Sequence, residues 1–313
     1  MIISASRRTD IPAFYSEWLM NRIREGFLLT RNPFNYHQIS RVSLRPEDVD
    51  AIVFWTRNPT KLLPYIDELT DIGHRFYFQF TLTGYPRLIE SKTLNPHKAL
   101  DVFKRLSAKV GAEKVIWRYD PILFSNLLPF DEHIRLFSKI ATELAGYTQR
   151  VVISFADFYQ KTEKNLKAID SLIYSDITQN QPLCLALSQK LADIARQHGL
   201  DIYSCAEEVN LTGQGIQHGK CIDEALINDL FGLLIPNSKD TGQREACGCV
   251  KSIDIGAYNT CLHGCQYCYA TYNQHQANSN FKKHDPQSPF LSGGTEGVDP
   301  LLLEPVRFQR NLF

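Results

Sequence analysis

Short apolar, β-branched runs recur along this chain with helical patterns between them, and that alternation limits the fold more than any other feature. The runs at residues 2–6, 51–56, 76–81, 115–119, 151–155, 201–205 and 252–255 read as strands. They are too apolar to leave one face wet, so the pattern predicts a parallel sheet covered by helices, in about seven βα units. At 313 residues, a single α/β domain built as a parallel (β/α) TIM-type barrel, whole or partial, accommodates all of them.

Helix ends agree with this reading. Asn95 suits an N-cap and Pro96 a first helical position, while Ala99, Phe103, Leu106 and Val110 share a face that Gly111 can close. Asp131 and Glu132 fall at the positive end of a helix whose stripe is Ile134, Phe137, Ile140, Ala141 and Leu144. A first helix is expected from residue 12 to about 26, burying Phe14, Trp18, Leu19 and Ile23, followed by a hairpin over 27–43. The barrel with its cysteine loop is expected over 1–272. Polar, Gly- and Pro-bearing composition then predicts an irregular tail over 273–313, packed on the barrel.

Thirty-four Lys plus Arg balance thirty-four Asp plus Glu, which argues against binding nucleic acid or an anionic membrane by bulk charge. The opening residues reach Arg7, Arg8 and Asp10 without a signal-like stretch. No run approaches the roughly 18 apolar residues of a membrane span. A cytoplasmic protein is the expectation.

Polar residues gather where the strands should end: Arg7, Arg8 and Asp10; Arg57 and Asn58; Thr81 and Thr83; Arg118 and Asp120; Ser154 and Asp157; Glu207 and Glu208. In a parallel barrel these ends share the face on which active sites form. As candidate catalytic residues, Arg118 and Asp120 can grip a ribose or a substrate, or pair with each other. One of Glu207 and Glu208 should face the mouth, Glu207 being the candidate. Histidines 74, 97, 133, 198 and 218 show no ligand spacing and read as structural or surface residues.

Eight cysteines are present, and five crowd into residues 247–268. A disulfide framework suits neither the size nor the absence of an export signal, so clustered thiolates point to metal. Cys261, Cys265 and Cys268, spaced C-x3-C-x2-C on a loop leaving a strand, can occupy three corners of a cubane cluster, with Gly264 allowing the tight wrap. The fourth iron is then open to a small bidentate molecule. Structural zinc, the alternative, wants four protein ligands where this loop offers three. Cys205, Cys221, Cys247 and Cys249 can ligate an auxiliary [4Fe–4S] cluster or a zinc ion, or share no metal at all. Cys184, between Leu183 and Leu185, reads as core.

The spacing, with Tyr267 before the third cysteine, resembles the signature of the radical S-adenosylmethionine (radical SAM) superfamily. Residues 264–270 are most similar to its spore photoproduct lyase-like branch. From Ser6-Arg7-Arg8-Thr9-Asp10-Ile11-Pro12 through Trp117-Arg118-Tyr119-Asp120-Pro121 to the cysteine loop, the chain resembles an uncharacterised bacterial family with a C-terminal, permuted CxxxCxxC motif. The resemblance implies an enzyme in which Cys261, Cys265 and Cys268 hold a [4Fe–4S] cluster and SAM chelates the open iron. An electron from an external donor would then cleave SAM to a 5'-deoxyadenosyl radical that acts on an unknown substrate. It also implies an adenine contact for Tyr267 and SAM-binding positions for Arg7, Arg8 and Asp10, although the superfamily's usual Gly-Gly-Glu is missing there. Superfamily members carry this loop after the first strand, whereas here it follows the last, so a permuted barrel must set residues 2–6 beside 252–255. The spore photoproduct lyase likeness raises nucleic acid as a substrate, and the zero net charge lowers it. Rival readings are an iron–sulfur binding or electron-transfer protein that does not cleave SAM, and a zinc-stabilised barrel hydrolase.

Overall fold

The computed structural model describes residues 1–304. In chain order, β1 (Ile2–Ala5), α1 (Ile11–Phe14) and α2 (Ser16–Glu25) precede a hairpin of β2 (Phe27–Asn32) and β3 (Asn35–Ser43). Next come β4 (Ala51–Thr56), α3 (Ile66–Ile72), β5 (Phe76–Thr81), α4 (Pro96–Val110), β6 (Val115–Ile122), α5 (Phe130–Leu144) and β7 (Arg150–Phe155). The rest comprises α6 (Gln160–Lys167), α7 (Gln181–Gln197), β8 (Asp201–Cys205), β9 (Gln217–Gly219), α8 (Glu224–Phe231), β10 (Ile253–Asp254), α9 (Gln274–Lys282) and α10 (Pro300–Leu303).

Eight strands form one parallel sheet in the order β10-β1-β4-β5-β6-β7-β8-β9. The fold class is therefore α/β with a large parallel sheet, whose edges are β10 and β9. First and last strands are neighbours, with Ile3 opposite Ile253 and Ser4 opposite Asp254. This is the adjacency that a late cysteine loop requires.

Alternation along the strands builds two cores. Ile52, Phe54, Phe78, Phe80, Trp117, Tyr119 and Ile153 pack in the larger core with residues of the covering helices, such as Phe103 and Phe137. Their neighbours Ala51, Val53, Tyr77, Ile116 and Val152 belong to a second core on the opposite face, and it includes Cys205, Cys221, Cys247 and Cys249.

Three departures from the sequence reading have physical causes. The first helix is broken at Tyr15 (φ −132°, ψ 25°), whose buried hydroxyl donates to the carbonyl of Thr260 at 2.7 Å and so ties the break to the cysteine loop. Strand β9, Gln-His-Gly, has no apolar run to announce it. The expected irregular tail begins with α9, capped by the Asn273 side chain and buried only at Ala277, so no amphipathic stripe marked it. Between α9 and α10 the chain runs irregularly over α2 and the hairpin: Trp18 Nε1 donates to Ser288 O and Leu29 N to Pro289 O, both at 2.9 Å. Residues 305–313 of that expected tail lie outside the described residues. Among the described residues no helix is long and apolar enough to cross a membrane.

His74 and His133 are buried structural residues, and burial lowers the pKa of each to about 4. His133 lies 2.9 Å by Nδ1 from the Tyr119 hydroxyl and 3.3 Å by Nε2 from Leu123 O, contacts that a single neutral tautomer satisfies. Because the unfolded chain binds these protons first, stability should be complete above pH 6.5 and fall as pH drops toward 4. The loss is on the order of 3 kcal/mol for each histidine. His74, whose ring nitrogens have no hydrogen-bond partner among the described residues, gives the cleaner test. Urea titrations across this window should show a shallower pH slope for His74→Leu, and an unchanged slope would contradict the assignment.

Candidate functional site

The C-terminal ends of the parallel strands open on one cavity of about 450 Å³. After β1 it takes Ser6 to Asp10; from β4, Trp55, Thr56 and Arg57; from β6, Arg118 and Asp120; from β7 and its loop, Ser154, Phe155 and Asp157. Cys205 ends β8, Cys221 follows β9, and the loop after β10 supplies Cys261, Cys265, Cys268 and Tyr267. Cys247 and Cys249 line it too, so of the eight cysteines only Cys184, buried on α7, stands apart.

Backbone pairing fixes the cysteine loop. Glu90 bridges antiparallel to Cys265, Gln266 N donates to Ile89 O at 2.9 Å, and Lys92 N to His263 O at 3.0 Å. Gly264 adopts φ +67°, and a Cβ there would collide with the Ser91 hydroxyl. Gly264→Ala is therefore both strained and crowded and should cost about 1–3 kcal/mol. Thermal unfolding compared with wild type checks this, and an unshifted midpoint would show that the wrap does not need glycine.

Asp10 anchors the loop from the other side. Its Oδ1 accepts from Ala13 N at 2.9 Å, and its Oδ2 from Arg57 N and His263 Nε2, each at 2.7 Å. The carboxylate expected to meet a cofactor is thus spent on α1, β4 and the cysteine loop. Tyr267 is fixed by Arg57 and Glu90: its hydroxyl donates to Glu90 and accepts from Arg57, which also pairs with Glu90 at 3.0 Å, while Thr83 Oγ1 donates to Glu90 at 2.7 Å. Burial opposes the charge on Arg57, but Glu90, then Tyr267 and Cys265, outweigh it and raise its pKa well above the ordinary value.

Asp254 joins the strand under the loop to β1. It accepts from Ser4 Oγ, Ser6 Oγ, Arg7 N and Gly256 N at 2.8–3.0 Å. Arg7 Nη2, Thr9 Oγ1 and His263 Nδ1 are buried in the cavity wall with no hydrogen-bond partner among the described residues. Arg8 lies over the Tyr258 ring, 5.2 Å from its centroid.

Arg118 and Asp120 do pair with each other, and Ser154 donates to Asp120. Arg118 Nη1 also reaches Cys221 Sγ at 2.7 Å. Burial opposes its charge, and Asp120 followed by Cys221 holds it in place, so its pKa is raised well above the ordinary value. Glu207 is not among the cavity-lining residues: its Oε1 accepts from Phe155 N at 2.8 Å, and burial raises its pKa to about 7. It closes the end of β7, and Glu208 is exposed. The mouth carboxylate that this pair was expected to supply is thus absent from the cavity wall.

Burial also pushes the Cys265 thiol up to about 12, and that of Cys261 well above its ordinary range. Thiols so placed ionise only against a positive centre. No three His, Cys, Asp or Glu side chains among the described residues converge on a point suited to one metal ion. Cubane corners hold their ligands farther apart, so this bears on a single-ion site rather than on a cluster.

Glu90 and Asp254 carry much of this architecture and were not singled out from sequence. Asp254, an acid inside a β-branched run, left a readable trace, whereas Glu90 lies in a segment without periodicity. No curated protein matches the chain. The stretch from β1 to the end of the cysteine loop, which contains every element that builds the cavity, coincides with a family model: residues 2–270 match the domain of unknown function DUF1848, and the chain belongs to that family.

Proposed function

We propose that this protein is a radical SAM enzyme built on a partial, circularly permuted (β/α) barrel of the TIM type. The observation that carries the reading is the placement of Cys261, Cys265 and Cys268 together in the wall of a cavity at the C-terminal edge of a parallel sheet, three thiols and no fourth within their loop. When bound, a [4Fe–4S] cluster would pass an electron from an external donor to the sulfonium of SAM, breaking its C5'–S bond to leave methionine and a 5'-deoxyadenosyl radical.

The chain's own residues fit that group. Three soft thiolates leave one iron for the amino and carboxylate groups of SAM. Arg7 Nη2, a buried guanidinium nitrogen with no hydrogen-bond partner among the described residues, is the donor suited to a carboxylate. Tyr267, its ring held by Glu90 and Arg57, offers a fixed face to adenine. Asp10 positions the loop through His263, and its carboxylate contributes no cofactor contact of its own. The cavity is large enough to shield a reactive group from water, which is the protein's main task in cofactor chemistry. Trp55, Tyr159 and Arg244 line it as well and are available to a substrate. The likeness of residues 264–270 to the spore photoproduct lyase-like branch makes nucleic acid a substrate to try, with no support from the balanced charge.

The test is reductive turnover. Protein reconstituted anaerobically with iron and sulfide, then given SAM and a strong reductant, should release 5'-deoxyadenosine. A preparation that holds its cluster, binds SAM and releases none is an iron–sulfur carrier instead.

A further inference from the structure

The reading above employs three of the seven cavity cysteines. The other four come from separate parts of the chain: Cys205 ends β8, Cys221 follows β9, and Cys247 and Cys249 flank Gly248 on the way to β10. They are 9, 2, 7 and 2 % exposed in chain order. Cys205 Sγ and Cys221 Sγ are 2.6 Å apart, nearer than two cluster ligands stand, so binding a cluster requires the two side chains to turn apart; both are free thiols. Cys247 and Cys249 pack with this pair in one buried cluster on the same face of the sheet. The sequence separation closed by these contacts reaches from 205 to 249, so the fold gathers them and local chain geometry does not.

Apolar packing gives little reason for such a group, since aliphatic side chains fill a core without a polarisable sulfur to satisfy. An all-thiolate donor set selects zinc or an iron–sulfur cluster. Structural zinc sites are closed on all sides, whereas these four thiols form part of the wall of the 450 Å³ cavity that the triplet also lines. Cationic and neutral donors already point at the sulfurs: Arg118 Nη1 to Cys221 Sγ at 2.7 Å and Ile222 N to Cys249 Sγ at 3.4 Å. Hydrogen bonds of this kind, together with burial, are how a protein stabilises and tunes a negatively charged cluster. Tyr77 and Gln79 fix the carbonyl of Cys221 at 2.7 and 2.8 Å, which sets its side chain from the rear.

We propose that Cys205, Cys221, Cys247 and Cys249 ligate a second [4Fe–4S] cluster, fully coordinated by protein and facing the same cavity as the triplet. Four thiolates complete a cluster without SAM, so the proposal stands apart from the catalytic reading.

Iron, sulfide and zinc should be measured on the full chain after anaerobic reconstitution, for wild type, C261A/C265A/C268A, C247S/C249S and C184S. The wild type is expected to hold about eight iron atoms and the triplet variant about four, with matching sulfide and a reduced-cluster EPR signal. Adding C247S/C249S to the triplet variant should remove that iron, and C184S should leave the wild-type count intact. A triplet variant containing one zinc and no iron overturns the cluster assignment. So does one that is folded by circular dichroism and holds neither metal. If either variant fails to fold, the wild type decides alone: about four iron atoms whose EPR signal shifts on adding SAM belong to the open-iron cluster and leave no second one, whereas about eight iron atoms, or about four with a signal that SAM leaves unchanged, support it. Failure of the SAM reading would appear as missing 5'-deoxyadenosine with these iron counts unchanged.

Discussion

Replacing Cys261, Cys265 and Cys268 together by alanine is expected to abolish SAM cleavage outright and to lower bound iron by about four atoms per chain. The size of the effect follows from the cavity. Without the three thiols this loop keeps one ligand type, His263, whose Nε2 is hydrogen-bonded to buried Asp10 at 2.7 Å, and one imidazole nitrogen does not hold a cluster. The fold should survive: all three cysteines are only partly buried, and the loop is tied by backbone pairing to residues 89–92. Far-ultraviolet circular dichroism should therefore match wild type while 5'-deoxyadenosine disappears. Iron content that does not change in the triple variant would remove these residues from the cluster.

The second large effect is expected at a residue that touches no metal. Asp10→Ala should destabilise the protein by about 3–5 kcal/mol, because it strands three buried or half-buried donors at once. They are Ala13 N at the start of α1, Arg57 N after β4, and His263 Nε2 in the cysteine loop. Asp10→Asn should cost less, since its oxygen can still cap α1 while its amide faces the other two donors. Urea midpoints rank wild type, Asn and Ala in that order. Iron per chain should fall in the same order as the loop loosens. An Ala variant that unfolds like wild type would mean that water replaces the carboxylate at no cost.

Much of this arrangement could be read from residue order. Strands 51–56 and 76–81 fall where their apolar runs place them, because burial on both faces leaves little freedom of register, and strand 201–205 and the hairpin over 27–43 also fall where expected. The neighbourhood of β1 and β10 was legible as well, from the position of the cysteine loop alone. Pairings between residues distant in sequence were not. Glu90 reaches Arg57 and Tyr267 through an irregular segment, and nothing in Ile89-Glu90-Ser91 shows which cation the acid will meet. Asp10 read as a cofactor contact because an acid at a strand end looks the same whether it faces a ligand or caps a helix. Glu207 was misplaced at the mouth for the same reason: its use by Phe155 N is a contact between strands, invisible along the chain.

The juxtaposition of β1 and β10 also bears on the order in which the molecule is completed. On a ribosome, β1 can pair with β4 once about fifty residues have emerged, yet its other side stays unclaimed until residues 253 and 254 arrive. For most of synthesis the nascent sheet thus carries a bare, apolar edge of the kind that invites pairing with another chain. Asp254 ends that exposure by drawing Ser4, Ser6 and Arg7 onto itself. The seal on the sheet and the cysteine loop that follows it are made in the same moment, so the triplet reaches its place only once the rest of the parallel sheet has been synthesised.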